Sequence, residues 1–142
     1  FWFKYNHGVV NAAGGFNATL ADYARLGVVL ANDGARPDTG QQIIPKDYLL
    51  EATDWRKHPK AFHPRVATPY NGYGYQFWLF PSQRRMFQLI GVYGQVMMID
   101  PENKLVLVHV GANETANLGK TSLGRELDAL WRGVIAQYGR WD

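Results

Sequence analysis

The chain has 142 residues, 46% hydrophobic and 14% aromatic, which suffices for one packed domain and excludes disorder by composition. Fifteen basic and twelve acidic residues leave a scattered net charge of +3, without the concentrated patch that nucleic-acid binding requires. Cysteine is absent, which excludes disulfides, thiolate metal sites and a cysteine nucleophile, and no apolar run approaches the roughly 20 residues of a membrane span.

The chain opens Phe1-Trp2-Phe3 without an initiator methionine, and reads as the C-terminal part of something longer. Residues 1–16 are glycine-rich and irregular, ending in Gly14-Gly15. Asn17 or Thr19 then caps a helix with Leu20, Tyr23, Ala24, Leu26, Val28 and Leu30 at its apolar positions. Asp22 lies in its first turns, where the helix dipole favours a negative charge, and Asn32-Asp33-Gly34 ends it. Pro45 suits the first position of a second helix reaching about Trp55. Between Arg56 and Asn71 lie His58, Pro59, His63, Pro64 and Pro69, the composition of a long loop that serves as a rim or lid.

Residues from Tyr73 to Phe80 alternate as one strand, and Pro81-Ser82-Gln83-Arg84 turns into a second strand from Met86 to Val92. Two apolar, β-branched runs around Asp100-Pro101-Glu102-Asn103 form a hairpin and complete four consecutive antiparallel strands. Beyond the segment 113–120, Thr121 or Ser122 caps a last amphipathic helix bearing Leu123, Leu127, Leu130, Trp131, Val134 and Ile135. The order helix, helix, meander, helix is α+β, an antiparallel sheet flanked by helices. The aromatic content and the open sheet edge call for covering by chain outside this sequence.

Chemistry concentrates around Gly91 and Gly94, which bracket Val92-Tyr93 at a strand end. Glycine there permits a sharp turn that points a bare N–H at a carbonyl oxygen, as acyl transfer requires. Tyr93 lines a substrate or packs on the sheet, since burial alone would not require a phenol; Trp78, one strand away, has the same two readings. The two serines, Ser82 and Ser122, precede Gln83-Arg84-Arg85 and Leu123-Gly124-Arg125; both read as structural, and no Gly-x-Ser-x-Gly elbow occurs. His58 and His63 lack a third ligand at useful spacing, so they read as solvated loop residues, and no metal is expected. His109, in an apolar strand, reads as a satisfied core or rim histidine. The turn Gly14–Thr19 lacks the lysine and preceding strand of a phosphate loop, so no nucleotide or other cofactor is expected.

Several stretches resemble the β-lactamase-related serine hydrolases, which include class C β-lactamases, penicillin-binding esterases and 6-aminohexanoate-dimer hydrolases. Gly14-Gly-Phe-Asn-Ala-Thr-Leu-Ala-Asp-Tyr-Ala-Arg-Leu-Gly27 is similar to that family's glycine-glycine turn and following helix, and Pro45–Thr53 to the next helix. Tyr70-Asn-Gly-Tyr-Gly-Tyr-Gln-Phe-Trp78 resembles an aromatic-glycine strand of the family. Ile90-Gly-Val-Tyr-Gly-Gln95 with Asp100-Pro101 looks most like the 6-aminohexanoate-dimer hydrolase branch. The resemblance implies the C-terminal part of a β-lactamase/transpeptidase-like fold and an acyl-enzyme mechanism on a small ester or amide. It also implies a backbone oxyanion donor, which we assign to the N–H of Val92, with Ile90, Gly91, Tyr93 and Trp78 lining the substrate.

The departures are informative. Neither Ser-x-x-Lys nor Tyr-x-Asn occurs in these residues; in this family both belong to an N-terminal half, the partner this chain would need. Lys120-Thr121-Ser122 looks like the lysine-threonine-glycine box, yet it leads into a helix where the box requires a strand, and the corresponding strand here carries Gln88-Leu89-Ile90. The missing basic side chain argues for esterase or amidase activity over lactam hydrolysis, and this chain alone should be inert. The rival reading is a non-catalytic binding or scaffold relative that kept the fold and lost the nucleophile. The compartment, bacterial periplasm or cytoplasm, is left open.

Overall fold

A computed structural model describes residues 1–5, 7–10, 14–117 and 121–139. Helix α1 spans Leu20–Ala31, with Thr19 as its N-cap: the Thr19 hydroxyl accepts from the Asp22 N–H at 3.1 Å, satisfying one orphan donor of the first turn. Of the two candidate caps, Thr19 therefore takes the role; Asn17 instead donates its side-chain amide to the Gly15 carbonyl. Helix α2 spans Lys46–Thr53, with Pro45 one position ahead of it, where the missing proline N–H costs nothing. Two 3-10 turns, Trp55–Lys57 and Lys60–Phe62, give structure to the stretch expected as an open loop. Helix α3 spans Ser122–Tyr138, and Thr121, not Ser122, caps it by accepting from the Gly124 N–H. Lys120 lies outside the described residues, while Thr121 is occupied as a cap.

Five antiparallel strands form one sheet in chain order: β1 Gly72–Gly74, β2 Phe77–Leu79, β3 Phe87–Ile90, β4 Val96–Asp100 and β5 Leu105–His109. The single strand expected over Tyr73–Phe80 is two. Tyr75 (φ 48°) and Gln76 (φ 66°) both adopt left-handed backbone and make a two-residue hairpin with Gly74 opposite Phe77. That turn normally selects Asn-Gly, so neither side chain advertised it. Long-range contacts hold Tyr75 there: its hydroxyl donates to Glu51 at 2.8 Å, which pushes the phenol's pKa up, and its ring lies 5.4 Å from that of His58.

Register assigns the core. Strand residues alternate faces, so Phe87 and Leu89 point opposite to Gln88 and Ile90. On one face Leu79, Phe87, Met97 and Ile99 bury against Leu30 and Ala31 of α1 and Leu49 of α2. On the other, Phe80, Met86, Val96 and Met98 bury against Leu127, Trp131 and Ile135 of α3, which lie on one helical stripe. The sheet is therefore sandwiched between α1 with α2 and α3, the expected α+β architecture.

Charge closes the ends of this sandwich. Asp100 is fully buried; its carboxylate accepts from the N–H groups of Glu102 and Asn103, holding the β4–β5 turn, and pairs with Arg84 at 3.4 Å. Arg85 donates to Asp33 and to the Thr53 hydroxyl, tying the end of α1 to the end of α2 across the β2–β3 connection. Each ion is held by more than one partner, which offsets the cost of removing it from water.

Candidate functional site

Strand β3 ends at Ile90, earlier than the expected Val92. Gly91 leaves it, and Val92–Gly94 winds into a 3-10 turn containing Tyr93 at φ 63°, ψ 20°. A non-glycine residue in left-handed backbone costs about 1–2 kcal/mol, so the surroundings must impose it. They do so through backbone bonds. The Gly91 N–H donates to the Gln95 carbonyl at 2.8 Å, and the Asn113 N–H donates to the Tyr93 carbonyl at 2.7 Å. Two side chains add to this: the His109 ring, through Nδ1, bonds the Gly94 carbonyl at 2.7 Å, and Gln95 Nε2 donates to the Gly111 carbonyl at 2.9 Å. The end of β5 and the segment after it thus hold the Gly94 and Tyr93 carbonyls.

Val92 opens the turn, where N–H groups have no partner within it, and its N–H makes no hydrogen bond among the described residues. Its side chain and that of Tyr93 are exposed, 60% and 50% respectively, so both stand at the surface where a ligand could meet them. Ile90, Gly91, Val92 and Tyr93 are contiguous at one end of the sheet. Trp78 pairs with Gln88, which makes it the diagonal neighbour of Ile90 on the face toward α3. Its half-buried ring packs on Tyr73 at 4.7 Å between centroids.

Two hollows adjoin this corner. One, about 310 Å³, is walled by Phe16, Tyr23 and Leu26 on one side and by Leu89, Gly91 and His109 on the other. The second, about 160 Å³, lies between Ile90, Gln88, Asn71 and the first turns of α3. There Asn71 Oδ1 is buried without a hydrogen-bond partner among the described residues. Gln88, only 5% exposed, is the other amide of that hollow.

The remaining candidates are structural. Ser82 is nearly buried, and its hydroxyl accepts from the Arg84 N–H at 3.1 Å. Ser122 opens α3. His58 and His63 are not solvated loop residues: His58 is 7% exposed, with Nε2 3.2 Å from the Ala52 carbonyl, and His63 Nε2 bonds the His58 carbonyl at 2.8 Å. The His58 ring fastens the proline-rich stretch onto the end of α2, and the His63 ring closes the stretch on itself. Among the described residues no three His, Cys, Asp or Glu side chains are grouped to hold a metal, and no helix is long and apolar enough to cross a membrane. Sequence reasoning passed over His109, Gln95 and Asn113 as members of this corner. The register opposite Val96 is the signal that could have placed His109 there.

Comparison with known proteins gives this corner its context. A solved structure of a Bacillus anthracis protein assigned as a 6-aminohexanoate-dimer hydrolase superposes with a TM-score of 0.71 at 25% identity. The match covers 95% of this chain and 34% of that one, so the chain spans about a third of its neighbour's length. The family profile described as Beta-lactamase matches residues 2–122, through both inner helices, the whole sheet and the turn at Val92. This chain belongs to the Beta-lactamase family.

Proposed function

We propose that the chain is the C-terminal segment of one serine hydrolase domain, a β-lactamase-like esterase or amidase acting through an acyl-enzyme. Its contribution is the oxyanion-side strand and a substrate-lining wall; the nucleophile comes from an N-terminal part of the same protein. The observation that carries this reading is the N–H of Val92, which makes no hydrogen bond among the described residues, in a turn whose Tyr93, Gly94 and Gln95 carbonyls are each held by a donor. An amide held so, with no acceptor of its own, is what a developing oxyanion needs, and it does not reorganise as charge appears. In the reaction a serine oxygen attacks the carbonyl carbon of an ester or amide, and the carbonyl oxygen takes up negative charge facing the Val92 N–H. Collapse expels the alcohol or amine, and water then releases the acid.

The wall favours uncharged substrates. Ile90, Val92 and Tyr93 present apolar and aromatic surface at 40%, 60% and 50% exposure, and no lysine stands in the turn to receive a substrate carboxylate. Small linear esters or amides therefore fit better than penicillins.

A fluorophosphonate probe applied to the full-length protein tests the reading. One labelled serine, within a Ser-x-x-Lys upstream of Phe1, is the expected result. An upstream region without that motif, and no labelling, would leave the scaffold relative as the correct description.

A further inference from the structure

We infer that His109 is a positioning residue for the Val92–Gly94 turn, holding the oxyanion donor in place from the neighbouring strand. The inference rests on the hydrolase reading above and extends it to a residue of the neighbouring strand β5.

His109 is the last residue of β5, opposite Val96 in register, and its half-buried ring reaches back past the strand end. A carbonyl oxygen can only accept, so at 2.7 Å from the Gly94 carbonyl the ring nitrogen Nδ1 must carry the hydrogen. That bond fixes the orientation of the peptide joining Gly94 to Gln95. The preceding peptide is fixed by the Asn113 N–H on the Tyr93 carbonyl, and the following one by the Gly91 N–H on the Gln95 carbonyl. Three successive carbonyls are thus taken, and of the three donors only His109 uses a side chain. Among the donors to these three carbonyls it is the one that mutation can remove without rebuilding the backbone.

The need for a clamp follows from the torsions. Tyr93 at φ 63° and Gly94 at φ 108° stand side by side in left-handed backbone, and the first is a bulky aromatic residue that disfavours it. Released from the Gly94 carbonyl, the turn can relax toward extended backbone and carry the Val92 N–H away from its direction. Gly111 is built around the same ring. A Cβ there would meet His109 Cε1 at 2.7 Å, closer than two carbons can approach.

The test uses the full-length protein, with p-nitrophenyl butyrate as the probe and hydrogen exchange of the 87–97 peptide as a readout independent of activity. His109→Leu is expected to lower kcat by roughly tenfold to a hundredfold, short of the loss of a donor outright, while KM moves by less than about threefold. His109→Asn places an amide nitrogen where Nδ1 sits and should recover kcat to within about threefold of the wild type; His109→Gln, whose nitrogen reaches instead toward Nε2, should not. Exchange within 87–97 should rise in His109→Leu and Gly111→Ala and stay near wild type in His109→Asn. Equal impairment of the Leu and Asn variants would assign His109 to packing alone and overturn the inference, as would unchanged exchange in His109→Leu. A wild-type protein without esterase turnover would overturn the hydrolase reading and the catalytic purpose of the clamp. Faster exchange in His109→Leu would then still show that the ring holds the turn.

Discussion

At Gly91 the backbone torsions, φ −94° and ψ 164°, are ones any residue can adopt. What crowds a side chain is Gln95, whose Cβ would lie 3.0 Å from a new Cβ and would have to give by a few tenths of an ångström. Gly91→Ala therefore shifts the base of the turn by a few tenths of an ångström, a fraction of the full ångström that can cost about a hundredfold at a reacting centre. We expect kcat/KM of the full-length protein to fall by roughly threefold to tenfold, measured by ester hydrolysis, with the fold retained by circular dichroism. Asp54 illustrates a different control. It caps the 3-10 turn at Trp55 by accepting from the Arg56 N–H, and it is paired with the Arg56 side chain at 2.7 Å. Partial burial works to raise its pKa, but the Arg56 hydrogen bonds outweigh that and hold it below the ordinary 3.8. A carboxyl depressed in the folded state stabilises above its unfolded pKa, and that contribution disappears as pH falls through the folded value. Asp54→Ala should thus cost about 1 kcal/mol at neutral pH, a typical cap, and melting curves of variant and wild type should converge on acidification.

The elements divide by how local their causes are. Helices α1 and α3 were legible because their apolar spacing and caps lie within one stretch of chain, whereas the hairpin joining β1 and β2 was not. Tyr75 and Gln76 are poor residues for a left-handed pair, and their alternation with the flanking aromatics reads as unbroken strand. Long-range contacts to Glu51 and His58 decide the matter. Gln76→Gly should relieve the misfit. The gain from removing left-handed strain, about 1–2 kcal/mol, exceeds glycine's entropic cost, about 0.4–1 kcal/mol, so the melting temperature should rise by a few degrees. The opposite substitution class belongs to α3: Trp131 is fully buried at the centre of one core, and Trp131→Ala should lose about 3–5 kcal/mol, measured by urea unfolding.

At the scale of the molecule, much apolar surface is left uncovered. Phe1, Trp2, Phe3, Tyr5, Val9 and Val10 are exposed ahead of α1, and β5 ends the sheet without a partner strand among the described residues. Surface of this kind marks an interface, and an uncovered strand edge invites pairing. Expressed by itself, the chain should therefore associate with its own copies in sedimentation velocity and hydrolyse no ester; a monodisperse, active fragment would contradict the proposed division of labour. By itself the sequence determined the three helices, the antiparallel meander up to the β1–β2 hairpin it missed, the α+β class and the family, because periodicities of 2 and 3.6 are local and a folded chain must bury them. Its glycines bracketing Val92-Tyr93 also marked that turn as the expected place for chemistry. Only the tertiary structure decided the shape of that place: the strand stops at Ile90, Tyr93 is held left-handed, and the grip comes from His109 and Asn113, 15 or more residues away along the chain. The physical reason is that a backbone torsion against its residue's preference is stable only when distant groups bond to it, and sequence neighbours carry no record of which distant groups those are.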